Sequence, residues 1–263
     1  MMILHLNHQL HPAQQTRRYP PLLLIHGLFG SLDNLGLLAR ELKRDRDVLQ
    51  VDLRNHGLSG HTPQMSYDLM AEDLAALIAH YDLAPMDIIG HSMGGKAAMR
   101  LALRHPQQVR RLAVLDMAPV AYPTRRHDAV FAALYAVEEA AVETRPQAAA
   151  ILRRYLQSEG VVQFLLKSFH RGQWRFNLTA LDQHYPAILG WDEQPPHPGD
   201  TLFIKGADSP YLLDDYRPAI LRQFPHARAH VIYGTGHWLH AEQPEKVLHV
   251  LHRFLDTPDE ASR

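Results

Sequence analysis

The sequence predicts an α/β fold in which helices flank a mostly parallel central sheet and a helical cap is inserted between two strands. Short apolar runs alternate with amphipathic segments over most of the 263 residues, as in chains whose parallel strands are joined by crossover helices. Between residues 120 and 198 this alternation gives way to helical patterns. We therefore predict a core of residues 1–119 and 199–263 and a cap of residues 120–198.

Composition limits the classes of function. With 46% hydrophobic residues the chain can bury one sizeable core, and its net charge of −1 predicts no nucleic-acid partner. The lack of cysteine excludes thiolate chemistry and fits a cytoplasmic protein. Neither a signal peptide nor a membrane span is expected. Among the 19 histidines, His249 and His252 have no third ligand at suitable spacing, so we expect no metal and no cofactor.

The first part of the chain predicts alternating strands and helices. Residues 3–8 alternate in polarity, as an edge strand does. Leu22–Ile25 is a short apolar run that suits a strand buried on both faces. Further predicted strands are 48–53, 86–89 and 112–115, and predicted helices are 35–44, 70–80 and 96–104.

The second part predicts first the cap and then the rest of the sheet. Predicted cap helices are 129–139, 147–156 and 161–167, followed by strands 201–204 and 229–233 with a helix over 214–224 between them. Pro244 is well placed in the first turn of a closing helix that reaches Leu255. The tail after Pro258 is expected to fray.

The segment from Gly90 to Gly94 has the G-x-S-x-G pattern between a predicted strand and a predicted helix. In that context the pattern indicates a nucleophile elbow, a tight turn that presents the serine hydroxyl. The alternative is a helix cap with a glycine-rich turn. Ser92 is the candidate nucleophile.

Other chemical groups are predicted at the same edge of the sheet, because parallel sheets collect functional residues at the carboxyl ends of their strands. The turn from His26 to Gly30 follows a strand, and its glycines would let backbone N–H groups face a reacting oxygen. Asp116 and His237 also follow strands, so the chain has the order Ser, Asp, His.

Two aspartates, Asp116 and Asp208, are candidates for the carboxylate that orients His237. Asp116 ends the strand next to the elbow's own strand, about 4.8 Å away in a parallel sheet. Asp208 lies in the loop after strand 201–204. We favour Asp116, with Ser209 forming a hydrogen bond near His237 as a fourth member.

Four motifs taken together resemble the α/β-hydrolase superfamily over essentially the whole chain, and most closely the YbfF-type esterases and ABHD11-like hydrolases. They are His26-Gly27-Leu28-Phe29-Gly30-Ser31, Asp52-Leu53-Arg54-Asn55-His56-Gly57, Gly90-His91-Ser92-Met93-Gly94-Gly95-Lys96 and Gly236-His237-Trp238. The resemblance implies an α/β-hydrolase fold and a serine esterase or thioesterase that acts on small acyl substrates.

The resemblance also implies roles for individual residues. His237 would be the general base, and the backbone N–H groups of Leu28 and Met93 would form the oxyanion hole. Superfamily members usually place the acid three residues beyond a glycine, where this chain has Ser209. The YbfF-type group also carries serine there, which supports Asp116.

Aromatic residues are candidates to line an acyl pocket, although such residues also pack a cap onto a core. They are Phe29, Tyr211 and Trp238, together with Phe164, Phe169 and Trp174. Lys96 and the segment from Arg125 to His127 are candidates to bind an anionic group such as the phosphates of coenzyme A, the alternative being solvated side chains.

Other functions remain open at this point. Ser92 argues against epoxide hydrolases and haloalkane dehalogenases, which carry aspartate at the elbow. A carbon–carbon bond hydrolase or a cofactor-free haloperoxidase would keep the same triad, and a non-catalytic ligand-binding module could share the fold. The sequence defines neither the acyl and leaving groups nor the oligomeric state.

Overall fold

A computed structural model describes residues 2–258, and within them a seven-stranded sheet forms the centre of the fold. Its strands are β1 (His8–His11), β2 (Leu22–Ile25), β3 (Val48–Val51), β4 (Met86–His91), β5 (Val109–Leu115), β8 (Asp200–Gly206) and β9 (Ala227–Ile232). The strand order is β1-β3-β2-β4-β5-β8-β9. All pairings are parallel except that of β1 with β3. The predicted mostly parallel sheet is confirmed.

The helices divide into those that flank the sheet and those inserted between β5 and β8. The flanking helices are α1 (Gly36–Leu42), α2 (Tyr67–His80), α3 (Met93–Arg104), α9 (Arg217–Gln223), α10 (Leu239–Glu242) and α11 (Pro244–Leu255). Successive strand residues point to opposite faces, so Leu23 packs with α2 and α3 while Leu22 packs with α1 and α11. This burial on both faces explains the continuous apolar runs in the sequence.

Most core elements lie within a few residues of their predicted positions, and the bounds of β2 and α11 are as predicted. The predicted edge strand over residues 3–8 is wrong, because its partner β3 ends at Val51 and leaves earlier residues no strand to pair with. The Leu4 N–H instead donates to Asp73 at 2.8 Å. The tail after Pro258 lies outside the described residues. No helix within residues 2–258 combines the length and apolarity needed to cross a bilayer.

The inserted segment contains more structure than the sequence indicates. Its elements are α4 (Asp128–Glu139), α5 (Arg145–Tyr155), α6 (Glu159–Leu166), the two-residue strands β6 (Phe169–His170) and β7 (Gln173–Trp174), α7 (Leu178–Gln183) and α8 (Tyr185–Leu189). The hairpin and the last two helices are too short to give a periodic pattern. We propose that residues 120–198 act as a cap, as expected from the sequence.

The end of the inserted segment is tied to the two helices beside the elbow. The Tyr67 hydroxyl donates to the Ile188 carbonyl at 2.6 Å, and the Lys96 ammonium donates to the Leu189 and Gly190 carbonyls at 2.9 Å each. Lys96 is only 1% exposed, and burial lowers its pKa to about 7. The interpretation of Lys96 as a receptor for a substrate anion is therefore wrong, because its donors are turned into the fold.

Candidate active site

Ser92 lies on a sharp turn between β4 and α3, in a backbone conformation that few residues other than glycine adopt, with φ of 56° and ψ of −124°. The flanking glycines make this turn possible. A Cβ at Gly90 would overlap the Gly94 carbonyl, and a Cβ at Gly94 would overlap the carbonyls of Ile25 and His26. The G-x-S-x-G pattern is thus explained by backbone crowding on both sides of the serine.

A continuous chain of hydrogen bonds joins Ser92, His237 and Asp116. His237 Nε2 lies 2.8 Å from Ser92 Oγ, and His237 Nδ1 lies 2.7 Å from Asp116 Oδ2. Asp116 is fully buried, so its carboxylate acts on Nδ1 with little screening by solvent. Because Nδ1–H donates to Asp116, Nε2 is left to accept the serine proton. The geometry suits proton transfer from Ser92 to His237.

The fourth predicted residue, Ser209, contacts the same carboxylate oxygen as His237. The Ser209 hydroxyl donates to Asp116 Oδ2, and the Gly206 N–H donates to Asp116 Oδ1 at 3.1 Å. Asp208 is exposed, and its backbone N–H donates to the Thr235 carbonyl. Of the two competing carboxylates, Asp116 therefore contacts the histidine and Asp208 does not.

The turn after β2 presents a backbone donor beside the serine. The Gly27 carbonyl accepts from His26 Nδ1–H at 2.7 Å and from the Gly30 N–H at 3.1 Å. In a trans peptide the following N–H points the opposite way, so these two bonds fix the direction of the Leu28 N–H. A Cβ on Gly27 would lie 3.1 Å from Ser92 Cβ, which places this peptide next to the serine.

The second predicted donor is the N–H of Met93, the first residue of α3. The first N–H groups of a helix have no intrahelical acceptor. Neither the Met93 nor the Leu28 N–H donates a hydrogen bond among residues 2–258. Both remain candidates for the oxyanion hole.

Two histidines of the sequence motifs, whose side chains had no predicted role, hold this turn in place. His26 Nε2 accepts from the Leu53 N–H at 3.0 Å, and His56 Nε2 accepts from the Phe29 N–H at 3.1 Å. Burial lowers the pKa of both, that of His56 to about 3. They stay neutral at pH 7, as an accepting nitrogen requires. The repeated His-Gly pairs after β2 and β3 are the sequence signal that could have found them.

A second histidine pair lies behind the triad. His91 Nε2–H donates to the His237 carbonyl at 2.8 Å, and the His91 and His240 rings lie 4.3 Å apart. Burial lowers the pKa of both, that of His240 to about 3. The loop that carries His237 is therefore held by a neutral histidine.

We expect the free energy of unfolding to decrease as pH falls from about 6.5 toward 4. The unfolded chain binds protons on histidine near pH 6.5, whereas folded His56 and His240 bind them only near pH 3. Each of these two histidines therefore lowers the free energy of unfolding by about 1.4 kcal/mol for every pH unit of acidification in that range. Asp87, whose pKa burial raises to about 6, opposes part of this loss. Urea unfolding at pH 7 and pH 5 measures the slope.

The matched variant for this prediction is His240→Gln, which removes one titrating group. The Nδ1 atom of His240 is buried and makes no hydrogen bond within residues 2–258. We expect a shallower pH dependence for the variant than for the wild type. An unchanged slope would show that His240 does not contribute.

A cavity of about 450 Å³ opens onto Ser92 and His237. The side of the core contributes Leu28, Phe29 and Trp238, and the inserted segment contributes residues of α6, including Val161 and Phe164, with Arg126 and His127 just before α4. The Phe164 and Trp238 rings lie 5.5 Å apart and bring the two sides together. The cavity lies within the ordinary size range of small-molecule sites.

Some predicted pocket residues lie elsewhere. Tyr211 does not line the cavity; its ring stacks on His237 with centroids 4.1 Å apart, and burial raises its pKa to about 12. Phe169 and Trp174 are buried inside the inserted segment with ring centroids 5.0 Å apart. Arg125 pairs with Asp128 at 2.9 Å. Phe169 and Trp174 thus pack the inserted segment and Arg125 forms a surface ion pair, whereas a substrate contact of Tyr211 stays a prediction.

Known proteins share the sequence family and the fold of this chain. Residues 20–244 match a family model described as the alpha/beta hydrolase fold. The chain is 51% identical over 251 residues to "Esterase YbfF" of Escherichia coli, covering 95% of this chain and 99% of that protein. It is 39% identical to mouse "sn-1-specific diacylglycerol lipase ABHD11", covering 90% of this chain and 81% of the relative. A solved "Marine microorganism esterase" superposes with a TM-score of 0.91 at 37% identity, covering 96% and 100% of the two chains.

Proposed function

Because this chain belongs to the α/β-hydrolase fold family, we propose that it is a serine esterase that cleaves carboxylic esters through an acyl-enzyme intermediate. The observation that carries the proposal is the hydrogen-bonded chain from Ser92 through His237 to Asp116, with distances of 2.8 and 2.7 Å, at the base of a cavity. Relatives named as esterases and lipases support it.

In the proposed first step, Ser92 Oγ attacks the ester carbonyl carbon while its proton passes to His237 Nε2. The carbonyl oxygen becomes an oxyanion, which the N–H groups of Leu28 and Met93 stabilise. The oxyanion then reforms the carbonyl, the bond to the leaving oxygen breaks, and His237 gives its proton to that oxygen. Water repeats the sequence on the acyl-enzyme and releases the acid and free Ser92.

The Asp116 carboxylate stays ionised through both steps and stabilises the imidazolium that forms on His237. The donors from Ser209 and Gly206 occupy its other lone pairs and fix its orientation. We propose that Ser209 acts in this way as the fourth member of the site.

The cavity supports an apolar acyl group of limited length, because Val130, Val161, Phe164 and Leu165 line it from the inserted segment. The proposal is tested by hydrolysis of a p-nitrophenyl ester series from acetyl to palmitoyl. A maximum along the series measures the length of the acyl pocket. Failure to hydrolyse any member would contradict the esterase proposal and favour a carbon–carbon hydrolase, a haloperoxidase or a binding module.

Shortening Phe164 is expected to change which acyl chain is preferred. Phe164→Ala removes the ring that meets Trp238 and lengthens the cavity, so kcat/KM for longer esters relative to short ones should rise about tenfold, the scale of hydrophobic-pocket discrimination. The control is Tyr155→Ala, which removes an exposed aromatic ring of α5 that does not line the cavity. An unchanged preference in Phe164→Ala would place the acyl chain elsewhere.

Thioester cleavage is the finer part of the proposal. A thiol leaving group would pass through the same acyl-enzyme, so the same acyl chain offered as an ester and as a thioester separates leaving-group preference from acyl preference. A cytoplasmic location also stays a prediction, which cell fractionation would test.

A further inference from the structure

One hydrogen bond joins the inserted segment directly to the turn that presents the Leu28 N–H. Ser168, two residues after α6, is 4% exposed, and its hydroxyl donates to the Phe29 carbonyl at 2.9 Å. Phe29 immediately follows Leu28. The contact therefore lies two peptide units from a proposed oxyanion donor.

The Phe29 backbone needs such support because its φ is 64°, in the left-handed region that side chains other than glycine rarely occupy. Its N–H is held from the core by His56 Nε2 at 3.1 Å. Its carbonyl is held from the inserted segment by Ser168. The N–H side of this residue is thus fixed by the loop after β3. Its carbonyl belongs to the same peptide as the Gly30 N–H, which donates to the Gly27 carbonyl, and Ser168 holds that peptide from the end of α6.

The Phe29 side chain makes the same connection. Its ring lies 5.3 Å from Phe131 of α4 and 5.1 Å from Phe176, both in the inserted segment. Val161 and Phe164 of α6 line the cavity that the substrate would fill. The helix that bounds the acyl group is therefore continuous with the residue that clamps the turn.

We propose that Ser168 is a positioning residue through which docking of α6 holds the oxyanion turn in its stabilising conformation. The inference rests on the proposed esterase function and deepens it, because it makes the segment that encloses the substrate part of transition-state stabilisation. Loss of the clamp would loosen the Phe29–Gly30 peptide, whose N–H donates to the Gly27 carbonyl and so helps to direct the Leu28 N–H, while the cavity wall stays in place.

The test compares Ser168→Ala with Ser168→Thr, which keeps the hydroxyl, and with Ser158→Ala. Ser158 is the exposed N-cap at the other end of α6 and accepts from the Val161 N–H, so it controls for loosening of the helix. We expect Ser168→Ala to lower kcat about tenfold for acetyl and longer esters alike, with KM within about twofold, as for loss of one buried hydrogen bond. Ser168→Thr and Ser158→Ala should keep kcat near the wild-type value.

A second readout follows transition-state stabilisation without turnover. A trifluoromethyl ketone forms a tetrahedral oxyanion with the serine, whereas the matching methyl ketone largely does not. Ser168→Ala should bind the first about tenfold more weakly and the second equally well, by the same hydrogen-bond estimate. Thermal unfolding of each variant shows that it is folded.

Several results would overturn the inference. They are an unchanged kcat in Ser168→Ala, a rise in KM alone, a Ser168→Thr variant as slow as the alanine variant, or an equal loss in Ser158→Ala. Failure of the proposed function has a different signature, because the wild type would then hydrolyse no ester. If the wild type hydrolyses esters and Ser168→Ala is equally active, only the positioning role of Ser168 is contradicted and the esterase proposal is not.

Discussion

Ser92→Ala is expected to lower kcat for ester hydrolysis by about 10⁶-fold, the scale measured when a serine hydrolase loses its nucleophile. Alanine has no oxygen to attack the carbonyl, so no acyl-enzyme forms. Binding should survive, because the cavity walls and the N–H groups of Leu28 and Met93 are untouched. Release of p-nitrophenol measures the rate, and binding of a non-hydrolysable ester analogue measures the retained site.

The control for Ser92→Ala is the labelling of the wild type by a fluorophosphonate. The wild type should gain one covalent adduct at Ser92, located by peptide mass spectrometry, and the variant should gain none. Substantial hydrolysis by the variant, or labelling at another serine, would contradict the assignment of Ser92 as the nucleophile.

Asp116→Asn is expected to lower kcat about 10⁴-fold at neutral pH. The amide cannot stabilise an imidazolium, and its NH₂ group would donate to Nδ1 and leave the proton on Nε2, facing Ser92. The base would then be in the wrong tautomer to accept the serine proton. The change in volume is small, so KM should change far less than kcat.

Asp208→Asn is the matched control for Asp116→Asn, because it makes the same chemical change on the exposed loop beside Ser209. We expect near wild-type turnover from it. The kcat of Ser209→Ala should lie between those of Asp116→Asn and Asp208→Asn, about tenfold below the wild type. This variant loses one donor to Asp116 but keeps the carboxylate. If Asp208→Asn, and not Asp116→Asn, abolished turnover, the proposed ester hydrolysis would still hold, but the assignment of Asp116 as the triad carboxylate would be wrong.

The sequence predicted the sheet and the order of its elements because strands buried on both faces leave continuous apolar runs. It predicted Ser92 and His237 because both lie in glycine-containing turns directly after strands. The sequence favoured Asp116 over Asp208 but did not exclude Asp208, since each follows a strand and the direction of a side chain leaves no pattern. In the structure Asp116 points to His237, and Ser209 contacts the same carboxylate.

Contacts between distant parts of the chain were beyond sequence reasoning. The clamp from Ser168 to Phe29 spans 139 positions and involves a backbone carbonyl, which leaves no residue pattern. The same limit explains the errors at Lys96 and Trp174, whose side chains are of types that suit a pocket. Tertiary packing turns Lys96 and Trp174 into the fold and stacks Tyr211 on His237.

Three non-glycine residues of the site, Phe29, Ser92 and Asp116, have φ of 64°, 56° and 54°. Each is a place where a glycine would relax the backbone, and where the side chain or its neighbours carry out the proposed chemistry. Selection for heat resistance alone would therefore favour glycine at Ser92, where it relieves the backbone and removes the proposed nucleophile, whereas at Phe29 the loss of a buried ring would outweigh that relief. A stabilisation campaign on this scaffold should hold these three codons fixed and draw its gains from exposed positions elsewhere.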